Sequence, residues 1–337
     1  MMGVHRDGIS VVLALVSIAA CDGSRSDGSS DSASGTSPGD AGDQTLVVFN
    51  AGSLARPFRA ALDTFAAHEA ARGARIRIAQ ENAGSLETAR KLTELGHIPD
   101  VIALADYEVF PQLLMPEYAT WYVQFARNRV VLAYTDRSRG AAEVNTENWW
   151  RVVQRQGVET GYGDPNLDPA GYRALLAMQL AEQHYRQPGL AEGLRRAVAS
   201  RNVRPKSADL VALLQAGELD YAWVYESMAR SARLPYIRLP HEIDLSAPAE
   251  SARYARASVR VTGATPRDTL TLRGEPIVYA LSIPARAPHP ALAERFVAFL
   301  LSPEGLRVLR AEQLDALDQP LVAGTGAPAA VRAAAGT

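Results

Sequence analysis

The chain has 337 residues, 47% of them hydrophobic and 21% charged, with a formal net charge of −2. Lys and Arg are interspersed with Asp and Glu, so there is no basic stripe of the kind nucleic acids require, and nucleic acid is set aside as a partner. A single cysteine, Cys21, excludes an intramolecular disulfide and a cysteine-rich metal site. The folded part must therefore rest on its apolar core, and its length calls for two domains.

Residues 1–21 read as an address. Arg6 precedes an apolar run from Ile9 to Ala20 that is short for a bilayer span, as in a signal peptide. The run ends in Ile18-Ala19-Ala20-Cys21, and small residues before a cysteine form a lipobox, which makes Cys21 the expected lipidation site. The plainer alternative is a free, buried cysteine in an ordinary export signal. Residues 22–43 are Ser, Gly and Asp with little to bury, the composition of a flexible tether. A coil of about twenty residues reaches roughly 25 Å, enough to keep a domain near a membrane partner.

The mature part opens with Leu46–Phe49, an apolar β-rich run, after which Leu54, Phe58, Leu62 and Phe65 recur at helical spacing. Ile76 and Ile78 then alternate with polar residues in a second strand, and Leu86, Leu92 and Leu95 line a helix closed by Gly96. Val101–Leu104 makes a third strand. Strands alternating with helices predict an α/β fold on a parallel sheet covered on both faces. A second region starts with the strand Val130–Thr135. It holds helices around Trp149–Gln156, Tyr172–Tyr185 and Ala208–Gln215, and ends in a strand over Asp220–Tyr225. Glu275–Ile283 is apolar and β-branched, and Ala291–Leu301 is an amphipathic helix; both suit a return to the first domain.

The expected architecture is a two-lobed clamshell of the periplasmic-binding-protein type (type II), with its ligand in the cleft between lobes. Residues 44–128 form the first part of lobe 1, 129–240 form lobe 2, 241–321 return to lobe 1, and 322–337, rich in Ala and Gly, form a loose tail.

The tetrapeptide Ala-Gly-Ser-Leu occurs twice, at Ala51–Leu54 and Ala83–Leu86, each time between a predicted strand and a predicted helix. Glycine admits close approach, serine offers a hydroxyl, and the first N–H groups of a helix attract negative charge. Gly52, Ser53 and Ser85 are therefore candidates for an anion cradle, with simple N-capping as the bland alternative. In the second region Asp164-Pro165-Asn166-Leu167-Asp168-Pro169-Ala170-Gly171-Tyr172-Arg173 opens a helix, where Asp168 at N-cap and Pro169 at N1 also make an ordinary helix start. Glu226 follows the last strand of that region. As enzyme parts Asp168 and Glu226 would be an acid and base, but neither a nucleophile elbow, a P-loop nor a paired-histidine zinc motif accompanies them. A binding protein, rather than an enzyme, is expected.

Several segments together resemble one family, the tungstate and molybdate binding proteins of ABC importers in their archaeal-type branch. They are Phe49–Leu54, Ala83-Gly84-Ser85, Ala105-Asp106-Tyr107, Trp121–Asn128, Asp164–Arg173, Tyr225-Glu226-Ser227, Gly274–Tyr279 and Leu301–Gly305. The resemblance implies a monomeric binding protein that delivers tungstate or molybdate, as transported ligand and not as cofactor, to an ABC permease. Ligand contacts are then expected from Gly52, Ser53, Ser85, Asp168, Pro169, Ala170 and Glu226. It further implies that Asp168 and Glu226 approach the metal centre itself, which would relieve their repulsion of a doubly negative anion. Sulfur cannot expand its coordination in this way, so such carboxylates would disfavour sulfate. The family commonly has cysteine where this chain has Ala170. Another oxyanion, sulfate or phosphate, is the alternative ligand, and an extracytoplasmic hydrolase the alternative activity.

Overall fold

The computed structural model describes residues 44–263 and 267–336; the expected signal peptide, Cys21 and the tether lie outside the described residues. Strands β1 (Gln44–Ala51), β2 (Ile76–Ala83) and β3 (Val101–Leu104) run parallel, with β1 between the other two. The helices that join them, Ala55–Ala71 and Ser85–Thr93, follow from the apolar spacing: Phe58, Leu62 and Phe65 of one and Leu86, Ala89 and Leu92 of the other are buried. After β4 (Trp121–Arg127) the chain passes through Asn128 and Arg129 into a second sheet.

That sheet comprises β5 (Val130–Tyr134), β6 (Thr160–Gly163), β7 (Val203–Arg204), β8 (Tyr221–Tyr225) and β9 (Tyr236–Arg238), in the order β7-β6-β8-β5-β9. The helix Pro169–Tyr185 packs against it through a close approach: a Cβ on Gly171 would lie 2.0 Å from the Gly163 carbonyl oxygen, so only glycine fits. Of the region expected to be helical over Trp149–Gln156, only Trp149–Val152 is.

The return to the first sheet comes later than the expected position, 241. Residues beyond Arg238 stay with the second lobe as a hairpin of β10 (Ser258–Thr262) and β11 (Thr269–Arg273), and the Gln179 amide on the helix Pro169–Tyr185 exchanges hydrogen bonds of 2.9 and 3.1 Å with the Ser258 backbone. The chain re-enters the first sheet at β12 (Val278–Ser282), antiparallel to both β3 and β4. The sheet is thus mixed rather than parallel throughout, in the order β13-β4-β12-β3-β1-β2.

The C-terminal residues also depart from expectation. β13 (Asp315–Gly324) pairs with β4, and a helix over Ala329–Ala335 buries Val331 and Ala335 against the helix Pro290–Leu301. An Ala-rich stretch reads as loose for want of large apolar residues, yet alanine is the best helix former, and one valine on the inner face is enough to dock it.

Candidate functional site

The β1–β2 register sets Ala51 opposite Ala83, so the two Ala-Gly-Ser-Leu turns leave neighbouring strands side by side. Neither serine is a cap. Ser53 lies in a 3₁₀ turn, Gly52–Leu54, and Ser85 is the first residue of its helix, and no side chain caps either start. Both hydroxyl oxygens instead accept from the protein. Ser85 Oγ takes the Ala105 N–H at 2.9 Å, and Ser53 Oγ takes the Tyr279 phenol at 3.0 Å. With an acceptor position filled in this way, each serine keeps its own O–H for something in the cleft.

The second lobe meets this corner directly. A Cβ on Gly84 would lie 2.0 Å from the Leu167 carbonyl oxygen and 3.1 Å from Asp168 N, so the glycine lets the two lobes touch beside Ser85. Asp168 is the N-cap of the helix Pro169–Tyr185: Oδ1 accepts the Ala170 N–H at 3.0 Å, while Oδ2 accepts the Ser207 N–H at 2.9 Å and hydroxyl at 2.6 Å. Burial pushes its carboxyl above the ordinary aspartate range, partly opposed by the Ser207 and Ala170 hydrogen bonds, with Glu87 adding to the rise. Asp168 is therefore both the ordinary helix cap and a member of the cleft cluster. Ala170 commits its N–H to that cap, and Pro169 has no N–H to give, so neither offers a backbone donor to a ligand.

Tyr225, at the end of β8, completes the cluster, and no local pattern in the sequence singles it out. Its ring meets that of Tyr279 edge-on at 6.1 Å, and its hydroxyl is buried without a hydrogen-bond partner. Burial pushes the phenol well up; Arg173 opposes this, while Tyr279, Asp168 and Asp106 add to it, so the hydroxyl keeps its proton. Arg173, also buried, pairs across the lobes with Asp106 at 2.9 Å, and Tyr172 bonds the same carboxylate. The Arg173 Nε and Nη1 remain without partners. Buried donors left unsatisfied are rare and costly, at about 1–3 kcal/mol each. Here the Tyr225 hydroxyl and two nitrogens of Arg173 lack an acceptor, beside two serine hydroxyls whose oxygens have already accepted.

Glu226 is elsewhere. Its Oε1 accepts from Tyr236 at 3.0 Å and from Arg238 at 2.8 Å, and Oε2 lies 3.1 Å from Arg129 Nε. With Ser227, Arg127 and Asp315 it lines a separate cavity of about 190 Å³ beside the crossover strands. The expected pairing of Glu226 with Asp168 at one metal centre is not what the fold makes: both of its oxygens are held by cations of its own lobe. Gly52 and Ser53 line a space of about 300 Å³ between the helix starting at Ala55 and the second-lobe residues Ala208 and Met228, the mouth of the cleft. Two roomier cavities, about 520 and 660 Å³, lie around Pro248 and around His68, and none of Ser53, Ser85, Asp168 or Tyr225 lines either.

Two α/β lobes joined by crossover strands, with polar donors converging where they close, define a binding protein for a small solute. The model of the bacterial extracellular solute-binding protein family matches residues 46–312, and the chain belongs to that family. A solute-binding protein of Petrotoga mobilis is 42% identical over 275 residues, covering 82% of this chain and 84% of the relative. The molybdate/tungstate-binding protein WtpA of Pyrococcus abyssi is 36% identical over 301 residues, 83% of this chain and 86% of its own length. The fold is shared with the sulfate-binding protein SubI of Mycobacterium tuberculosis (TM-score 0.56, 13% identity, 86% of this chain and 90% of that one). It is shared too with the periplasmic molybdate-binding protein of Azotobacter vinelandii (TM-score 0.53, 17% identity, 81% and 100%).

Proposed function

We propose that this chain captures a doubly charged tetrahedral oxyanion, molybdate or tungstate, in the inter-lobe cleft and presents it to an ABC permease, held at the membrane by a lipid on Cys21. The observation that carries the reading is the donor set: Ser53 and Ser85 with their oxygens already accepting, beside the unpartnered Tyr225 hydroxyl and Arg173 guanidinium. Such a cradle suits a ligand made only of acceptors. The name of the Pyrococcus abyssi relative, similar over most of both chains, narrows the anion to the molybdate class. A catalytic reading finds no support in these groups, since each is a donor held in place and none is a nucleophile beside a base.

In this reading Ser53, Ser85, Tyr225 and Arg173 hold the anion, Gly52 lets backbone approach it, Gly84 lets the second lobe close beside it, and Asp168, its oxygens held by Ala170 and Ser207, borders it. Arg173 supplies the positive charge that partly balances the ligand. Calorimetric titration of the chain from Gln44 onward against molybdate, tungstate and sulfate tests it. Strong heats with the metal oxyanions and weak ones with sulfate are expected; the absence of heat with all three refutes the assignment. Release of the intact chain from membranes of expressing cells by a Cys21→Ala substitution is the expected sign of the anchor.

A further inference from the structure

Asn128 sits where the chain crosses between lobes, and its orientation is fixed by two backbone donors: its Oδ1 accepts the N–H groups of Arg129 at 3.0 Å and Ser227 at 3.3 Å. The amide nitrogen must then point the other way, and it donates to Ser227 Oγ at 2.7 Å and to Tyr279 Oη at 2.8 Å. Having accepted, the Tyr279 phenol donates to Ser53 Oγ at 3.0 Å, and Ser53 has its O–H left for the cleft. Every bond in this relay runs in one direction, from hinge to cleft, and its origin is backbone that cannot reverse.

We infer that Asn128 and Tyr279 are positioning residues that fix Ser53 as an obligate donor, and that they thereby favour fully deprotonated oxyanions over those that carry a hydroxyl. The inference rests on the oxyanion reading above and adds a selectivity to it. An anion such as hydrogenphosphate must place one O–H. Against Ser53, whose one proton is turned to the cleft and one of whose two lone pairs is taken by Tyr279, that O–H meets a donor instead of an acceptor. Asp168 already accepts three hydrogen bonds and offers little further room. Leaving a buried donor unpaired costs about 1–3 kcal/mol, or roughly fivefold to a hundredfold in affinity.

Reversing the relay tests this. In Asn128→Asp the second carboxylate oxygen accepts from Tyr279, the Tyr279 oxygen then accepts from Ser53, and Ser53 presents lone pairs to the cleft. Molybdate and hydrogenphosphate both carry two negative charges at mildly alkaline pH, so the negative charge that Asn128→Asp adds repels both alike, and their ratio isolates the donor direction. Competition calorimetry should show the preference for molybdate over hydrogenphosphate falling about tenfold or more in Asn128→Asp, and by a few fold in Tyr279→Phe, which keeps the ring packed against Phe125. Equal weakening of both anions in the two variants overturns the inference while leaving the oxyanion site standing. If Asn128→Asp does not fold, an unchanged ratio in Tyr279→Phe overturns it alone. Binding of neither anion by the unsubstituted chain removes the site itself, and the inference with it.

Discussion

The two lobes bring polar groups to the cleft by different means. The first uses one device twice, a glycine-serine turn at the end of a parallel strand, and it fills each serine oxygen from behind with a donor, Ala105 N–H or the Tyr279 phenol. The second offers single side chains of unlike chemistry, a capping carboxylate and a guanidinium from the helix Pro169–Tyr185 and a phenol from β8. A repeated backbone motif tolerates errors in register, because either copy shows it. Single side chains do not, and the second lobe is where one position separates a cleft group, Tyr225, from one committed to arginines, Glu226.

The sharpest way to break the first lobe's side of this contrast is to remove both hydroxyls. Ser53→Ala with Ser85→Ala should cost at least about a hundredfold in molybdate affinity, since a hydrogen bond to a charged group contributes about 1.5–3 kcal/mol. The fold should survive, because neither serine caps a helix, but with a lowered melting temperature, since the Ala105 N–H and the Tyr279 phenol lose their acceptors. Calorimetry together with a melting curve that stays cooperative checks both halves, and retention of full affinity places the anion elsewhere.

In the second lobe the largest effect is expected from Arg173→Met. It removes the buried cation that we propose faces the ligand and leaves Asp106 with Tyr172 but without its charge partner across the lobes, and both changes disfavour the closed, liganded state. A loss of about tenfold to a hundredfold in affinity is expected, with a larger radius of gyration by solution scattering at subsaturating ligand. If affinity is unchanged, Arg173 serves only the Asp106 contact and not the anion.

Glu226→Gln sharpens the difference between neighbours. Glu226 contributes to stability through Arg129, Arg238 and Tyr236, but Arg238 is well exposed and solvent screens that pair. A destabilisation of about 1 kcal/mol is expected, with molybdate affinity changed by less than about threefold, whereas Tyr225→Phe should weaken binding about tenfold at little cost in stability. The reverse pattern would restore Glu226 to the ligand.

How far the sequence displayed this follows from the same physics. The strand-turn-helix repeat was legible because apolar periodicity and glycine-serine turns are local signals, and Asp168 because an Asp-Pro helix start declares itself. Tyr225 was not, since a buried tyrosine ending an apolar strand reads as core, and only its unsatisfied hydroxyl marks it. Glu226 already belongs to the short helix Glu226–Ser231 that follows β8, and this change of element between neighbours, which no local pattern marks, exchanges cleft for hinge. Arg173 lay hidden in a helix whose inward faces only the fold defines. The late return at β12 and the docked C-terminal helix depend on long-range pairing that no local pattern carries.

The smallest expected effect concerns pH. Burial raises the carboxyl groups of Asp168, Asp244 and Glu275 above their ordinary values, so the folded, ligand-free protein holds these protons more tightly than the unfolded chain. Their contribution to stability is fully present below the ordinary carboxyl range near about 4 and is lost as pH rises through the raised values. Glu143 and Glu192 shift the opposite way under Arg155 and Arg195, but they are exposed and their pairing is screened. The ligand-free melting temperature should therefore rise modestly from neutral to mildly acidic pH, and Asp168→Asn should flatten that rise by removing one of the three groups. A melting temperature that falls steadily over this range, or a slope untouched by Asp168→Asn, would mean that the Asp168 carboxyl is ionised without penalty in the empty cleft, held by Ser207 and the helix start alone.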